Sequence, residues 1–261
     1  MAQHETFTVD TSTPHPARVY DYFLGGKDNY PVDQELAERL ATGAQRGALV
    51  NREFMHRAVA HLARCGIDQF LDIGTGIPTE PNLHQIAQGL VPHARVLYVD
   101  NDPIVLRHGQ ALLSSSPQGA TDFLLADVRE PAGILAHAAR VLDLNRPVGL
   151  SLVALLHFVR DEEDPWALAR VLLDALAPGS YLVLSHGTAD FLPPEVAQRI
   201  TGTYQDGGIA LCPRSLAEVT RFFDGLEVEE PGIVRAPEWY RDTEAPPDEE
   251  SGFYVGVGRL P

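Results

Sequence analysis

The sequence predicts an α/β domain built on a mostly parallel, doubly wound sheet, and three observations point to it. Short apolar runs alternate with amphipathic helical stretches from Gln69 to Ser185. The first run turns directly into the glycine pair Gly74 and Gly76. Each of the first three runs carries an aspartate at or near its end: Asp72, Asp100 and Asp127. Right-handed crossovers gather the loops after such strands along one sheet edge, where ligands bind.

Residues 1–16 are polar, contain Pro14 and Pro16, and are expected to form a loose arm. A short helix is predicted from Arg18 to Leu24, closed by Gly25-Gly26. Pro31 opens a helix to about Ala41. A longer one runs from Leu49 to Arg64, where Val50, Phe54, Ala58, Leu62 and Cys65 fall at helical spacing and Gly66 ends the pattern. Strands are then expected at 69–73, 95–100, 121–126, 148–155 and 181–185, with helices at 80–89, 103–113, 131–141 and 164–176. The fourth strand is dominated by apolar residues, as suits a central strand covered on both faces. After Ser185 the alternation breaks. Helices at 194–203 and 213–224 follow one another, and 226–234 is expected to pair with 253–259 across a Pro-rich, acidic connection. The expected organisation is an N-terminal arm and helical cap over 1–66 and a ligand-binding domain over 67–261, joined as one continuous unit.

A chain of 261 residues suits one sizeable α/β domain with an extension. The net charge of −16 repels phosphate backbones, so no nucleic-acid partner is expected. Cys65 and Cys212 lie far apart without a CxxC spacing, and both are expected as buried thiols in a reducing compartment. No apolar stretch approaches the ~20 residues of a membrane span, and the N-terminus lacks a signal-peptide pattern. A cytoplasmic protein without a membrane partner is the expectation.

The segment Leu71-Asp72-Ile73-Gly74-Thr75-Gly76 places glycines where a backbone must come close to a ligand. A dinucleotide fingerprint needs a third glycine at the position of Thr79, and Asp72 would repel a pyrophosphate. A ligand with an ammonium and a sulfonium, S-adenosylmethionine, suits Asp72 instead. Asp100 stands near the spacing expected of an acid that accepts from ribose hydroxyls, with Asn101 facing the adenine and Asp102 capping the next helix. Asp127 is expected to accept from the adenine amine while Val128 covers the ring; the alternative for Asp127 is a plain N-cap of the helix after Pro131. His56 and His61 are five residues apart and do not share a helical face, so no metal site is expected.

The sequence resembles a family of bacterial S-adenosylmethionine-dependent methyltransferases first catalogued as a domain of unknown function. The resemblance rests on Arg18-Val-Tyr-Asp-Tyr-Phe-Leu-Gly-Gly-Lys-Asp-Asn-Tyr30, Phe70 to Thr79, Tyr98 to Pro103, Ala126 to Arg129, Leu155 to Phe158 and Pro178 to Tyr181. It implies a Rossmann-like class I fold with S-adenosylmethionine as cofactor and S-adenosylhomocysteine as product, and brings no acceptor with it.

Methyl transfer depends largely on positioning, with a base needed only if the nucleophile carries a proton. His157, after the fourth strand, is the candidate base; the alternative is a histidine that shapes the pocket. His186 is a weaker candidate. The stretch from Arg18 to Tyr30 is expected either to fold over the cofactor as a lid or to be an ordinary packing helix; as a lid it would place three residues at the cofactor. Arg18 would reach the methionine carboxylate, Tyr20 would face the cofactor and Tyr30 would stand near the methyl group. Tyr204, Trp239 and Tyr240 could line an acceptor pocket or form satellite core. The expected activity is methylation of a small-molecule acceptor; a non-catalytic sensor of S-adenosylmethionine or S-adenosylhomocysteine is the alternative. A nicotinamide-dependent dehydrogenase is disfavoured by Asp72 and the missing third glycine.

Overall fold

The computed structural model describes residues 10–40, 43–112, 115–240 and 252–261. The expected acidic connection at 244–250, the first nine residues of the arm and the far ends of the helices predicted to reach Ala41 and residue 113 lie outside them. Five parallel strands form the middle of the sheet: β1 (Gln69–Ile73), β2 (Arg95–Asp100), β3 (Ala120–Leu125), β4 (Gly149–Val153) and β5 (Tyr181–Gly187). Antiparallel β8 (Phe253–Arg259) lies against β5, and the order is β3-β2-β1-β4-β5-β8-β6. The predicted strand at 226–234 is instead two short ones, β6 (Glu227–Val228) and β7 (Val234–Arg235), both paired with β8. Pro231 has no N–H for a ladder and Gly232 turns at φ +96°, so the run cannot stay extended.

The helices are α1 (Pro16–Phe23), α2 (Pro31–Arg39), α3 (Ala44–Arg64), α4 (Leu83–Leu90), α5 (Pro103–Leu112), α6 (Pro131–Val141), α7 (Pro165–Asp174), α8 (Pro194–Asp206) and α9 (Leu216–Thr220). Prolines open six of these, where the missing N–H would have had no helical partner. Helix α4 starts three residues later than predicted because Asn82, not Glu80, forms the capping box with Gln85. Ser215 caps α9 in the same way with Glu218, and the predicted 213–224 helix becomes α9 plus a 3-10 turn at Arg221–Phe223. Strand β4 ends two residues early because Ala154 adopts φ +53°. Among the described residues, no helix is long and apolar enough to cross a membrane.

Alternation along the strands gives the sheet two apolar faces. Leu71, Ile73, Leu97, Leu150, Leu152 and Leu182 pack in one cluster with Ile134 of α6 and Leu172 of α7. Phe70, Val96, Tyr98 and Val183 pack in the other with Phe54, Ala58 and Leu62, spaced four apart on α3 and fully buried. Trp239 joins this second cluster, fully buried and edge-on to Phe54, so it is core and lines no acceptor pocket. Helices α1 and α2 bury Val19, Phe23, Leu36 and Ala37 in a separate cluster with Ala48 and Ile209. One expectation fails: Cys65 is exposed and Cys212 half-buried, both as free thiols, because Cys65 caps α3 at the surface.

Candidate functional site

The loop after β1 is pinned over the end of β2. The Gly74 and Thr75 N–H groups donate to the Val99 carbonyl at 2.8 and 3.2 Å, and Thr75 Oγ1 donates to the Asp72 carbonyl at 3.0 Å. Gly74 and Gly76 adopt φ +76° and +70°, a region unfavourable to other residues. A Cβ on Gly74 would sit 2.7 Å from Leu155 Cδ1, whereas one on Gly76 would meet nothing within 4 Å. The first glycine is therefore demanded by packing, while the second faces open space. Gly74→Ala is expected to destabilise the fold by about 1–3 kcal/mol, through strain and displacement of Leu155, as read by chemical denaturation.

That open space belongs to a cavity of about 500 Å3 along the sheet edge. Asp72, Gly74, Thr75 and Gly76 line it from β1 and its loop. Asp100, Asn101, Asp127 and Val128 line it from the ends of β2 and β3, and Tyr20 lines it from α1. Nine of the residues singled out in the sequence thus meet in one place.

Their electrostatics differ. Asp100 Oδ2 accepts from the Gly76 N–H at 2.8 Å and Oδ1 from the Asp102 N–H at 2.9 Å; burial still pushes its carboxyl upward. Asp102 is the helix cap, accepting from the Ile104 N–H at 2.9 Å. Burial pushes the Asp72 carboxyl up to about 6. Burial also works against ionised Asp127, but the Arg129 N–H, the Asn101 amide and the Arg129 guanidinium outweigh it and hold that carboxyl low.

Arg18, Tyr30 and His157 stand elsewhere. Arg18 is buried, with Nε 3.1 Å from Asp102 Oδ2 and Nη1 3.6 Å from Asp33 Oδ2, and it does not line the cavity. Two buried carboxylates hold its charge, so it is not available to reach a third. Tyr30 packs against Ile77, Ile104 and Val105 under the Arg18 guanidinium, 5.6 Å from its ring centre. His157 is 4% exposed behind the cavity wall, and its Nδ1 accepts from the Gly187 N–H at 3.2 Å. Burial, with His186 and Arg214 nearby, drives its pKa well below the usual histidine range. A ring that is neutral, bonded and walled off shapes the pocket and is not placed to take a proton from a substrate. His186 is fully buried between the Gly187 carbonyl and Arg214.

Sequence reasoning missed Asn51, Arg52 and Met55, which line the cavity from α3. Arg52 Nη2 donates to the carbonyls of Thr79 and Pro81 and its charge acts on Asp72. A signal was present: Asn51, Met55, Ala58 and Leu62 share one helical face, and a polar residue on a core-facing stripe is anomalous. Among the described residues, no group of three or more His, Cys, Asp or Glu is arranged to hold a metal.

Five parallel strands in this order with an antiparallel strand at β8 form a Rossmann-like methyltransferase fold. A SAM-dependent methyltransferase from Anabaena variabilis ATCC 29413 shares it with a TM-score of 0.52 at 13% identity, over 98% of this chain and 100% of that one. The chain belongs to the S-adenosyl methyltransferase family, whose profile matches residues 2–261. It is 47% identical to a DUF574 family protein from Streptomyces avermitilis MA-4680, over 97% of this chain and 100% of that one, with a TM-score of 0.94. It is 38% identical to a candidate methyltransferase from Thermobifida fusca YX, over 96% of each chain, with a TM-score of 0.88. No curated protein matches it. The resemblance carried by the Arg18–Tyr30 stretch and the glycine loop is to this family, and S-adenosylmethionine is the cofactor.

The residues present fit that cofactor. Carboxylates at three successive strands offer acceptors to a ligand rich in donors and carrying a cation. The open side of Gly76 leaves room for close approach.

Proposed function

We propose that this cavity holds both the cofactor and the methyl acceptor, and that the acceptor is a small molecule. The observation that carries this is the concave shape of the site. Pro14, His15, Pro16 and Ala17 line the cavity from the N-terminal segment, and Gly208, Ile209 and Ala210 from the loop after α8. A recess of about 500 Å3 flanked by these segments suits a metabolite better than a folded macromolecule. The net charge of −16 further disfavours a nucleic acid.

In this reading Asp100 accepts from the ribose hydroxyls. Asn101, Asp127 and Val128 hold the adenine. Asp72 faces the ammonium, and Arg52 takes the carboxylate role expected of Arg18. Gly74, Thr75 and Gly76 let the backbone approach, and Tyr20 closes the α1 side. When bound, S-adenosylmethionine supplies an electrophilic methyl group on a sulfonium. The chain contributes orientation and exclusion of water, consistent with a site where neither histidine behind the wall is free to act as a base.

The test supplies tritiated-methyl S-adenosylmethionine with a bacterial extract split into small-molecule and macromolecular fractions. Label is expected to accumulate in the small-molecule fraction. Label on protein or nucleic acid alone would overturn the small-molecule reading, and failure of S-adenosylhomocysteine to bind in calorimetry would overturn the site itself.

A further inference from the structure

Asn51 is fully buried, yet half of its side chain is unused. Its Nδ2 donates to Tyr20 Oη at 2.9 Å, and Tyr20 Oη donates to the Ala48 carbonyl at 2.9 Å. A backbone carbonyl can only accept, so the single tyrosine hydrogen is committed to Ala48. The hydroxyl can then only accept from Asn51, which fixes the amide with its nitrogen toward Tyr20 and its oxygen away. That oxygen is buried and has no partner. An unpaired buried acceptor is costly, so its persistence beside a ligand cavity points to a donor that arrives with the ligand.

The position of α3 says which part of the ligand. Helix α3 packs on the sheet through β4, β5 and β8 and lies beside α4, and its Arg52, the residue after Asn51, acts electrostatically on Asp72 of β1. Of the acids assigned to the adenosine, Asp100 ends β2 and Asp127 follows β3. Asn51, next to Arg52, therefore lines the cavity with the Asp72 side of the glycine loop. The donor-rich group of the cofactor assigned to Asp72 is its α-ammonium, with three N–H bonds to satisfy.

We infer that the free Oδ1 of Asn51 accepts a hydrogen bond from the α-ammonium of S-adenosylmethionine, making Asn51 a cofactor-binding residue that selects for the amino group. This rests on the cavity being the cofactor site. It also gives the N-terminal segment a role, because the same amide holds Tyr20 of α1. The cofactor would complete a chain running from its own ammonium through Asn51 and Tyr20 to the Ala48 carbonyl.

The test is calorimetric titration of S-adenosylhomocysteine and of its analogue lacking the α-amine, against the wild type, Asn51→Leu and Asn51→Asp. Leucine preserves volume but cannot accept. Asn51→Leu is expected to weaken S-adenosylhomocysteine by about 10- to 100-fold, the range of a hydrogen bond to a charged group, and to change the analogue by less than about twofold. Asn51→Asp keeps an acceptor and should keep the preference for the amine. Equal weakening of both ligands by Asn51→Leu, or unchanged binding of S-adenosylhomocysteine, would overturn the assignment. Wild-type protein that binds neither ligand would instead remove the cofactor-site reading on which the assignment depends.

Discussion

Arg214→Ala is expected to lower the unfolding free energy by about 3–5 kcal/mol, measured by urea denaturation. Arg214 is 2% exposed and acts as a clamp. Its Nη1 donates to the Leu156 carbonyl at 2.9 Å and lies 2.8 Å from His186 Nε2. Its Nη2 donates to the Val159 carbonyl at 3.0 Å and pairs with Asp161. The guanidinium also lies 4.9 Å from the Trp166 ring centre. Asp161 is mostly solvated, so the ion pair contributes little. The cost of removal comes from two carbonyls and an imidazole left buried without a donor, together with the void under Trp166. Arg214→Lys should recover only part of the loss, since an ammonium cannot fork between both carbonyls. Phe158 and Val159 belong to the clamped turn and line the cavity, so the variant is also expected to bind S-adenosylhomocysteine more weakly.

Asp72→Asn is expected to stabilise the ligand-free protein and to impair cofactor binding. Burial raises the Asp72 carboxyl from 3.8 to about 6. The folded state therefore favours the protonated form. Its contribution to stability is fully present below the unfolded pKa near 3.8 and is lost as pH rises through about 6. At pH 7.5 the ionised, buried group costs on the order of 2–3 kcal/mol, which the amide avoids. The variant should gain that amount at pH 7.5 and little near pH 4. The cofactor's ammonium reverses the balance, because it favours the carboxylate. Wild-type affinity for S-adenosylhomocysteine should then fall by roughly tenfold per pH unit below about 6, and the asparagine variant should lose this pH dependence. Equal stability of the two proteins at pH 7.5, or wild-type binding that is flat from pH 5 to pH 7.5, would refute the account.

Much of the fold was legible because sheet strands and helix starts are local features. The apolar runs at β1 to β5 and the helix-opening prolines at residues 31, 103, 131 and 194 needed no tertiary information, whereas Pro16, placed in the arm, opens α1 instead. Asp72, Asp100 and Asp127 were readable because parallel topology brings strand ends together. What failed depended on partners far away in sequence. Arg18 was assigned to a ligand, but Asp33 and Asp102 reach it first through the packing of α1 on α2 and α5. His157 stood at the right strand end, yet the backbone turn at Ala154 carries it behind the wall. Asn51 carried a local signal that was outweighed by the apolar residues around it.

The arrangement around β8 bears on how the chain acquires its structure during synthesis. Three segments made earlier, β5, β6 and β7, find their ladder partner in β8. Among the described residues the two short ones pair with no other strand. A nascent chain that has emerged only through residue 252 can assemble β1 to β5 from neighbouring βα units, but it leaves one edge of β5 bare and residues 226–235 without a ladder. An exposed β5 edge is a template for pairing with another chain. The arrival of β8 thus closes the window in which a growing polypeptide is open to association with its neighbours on the same message.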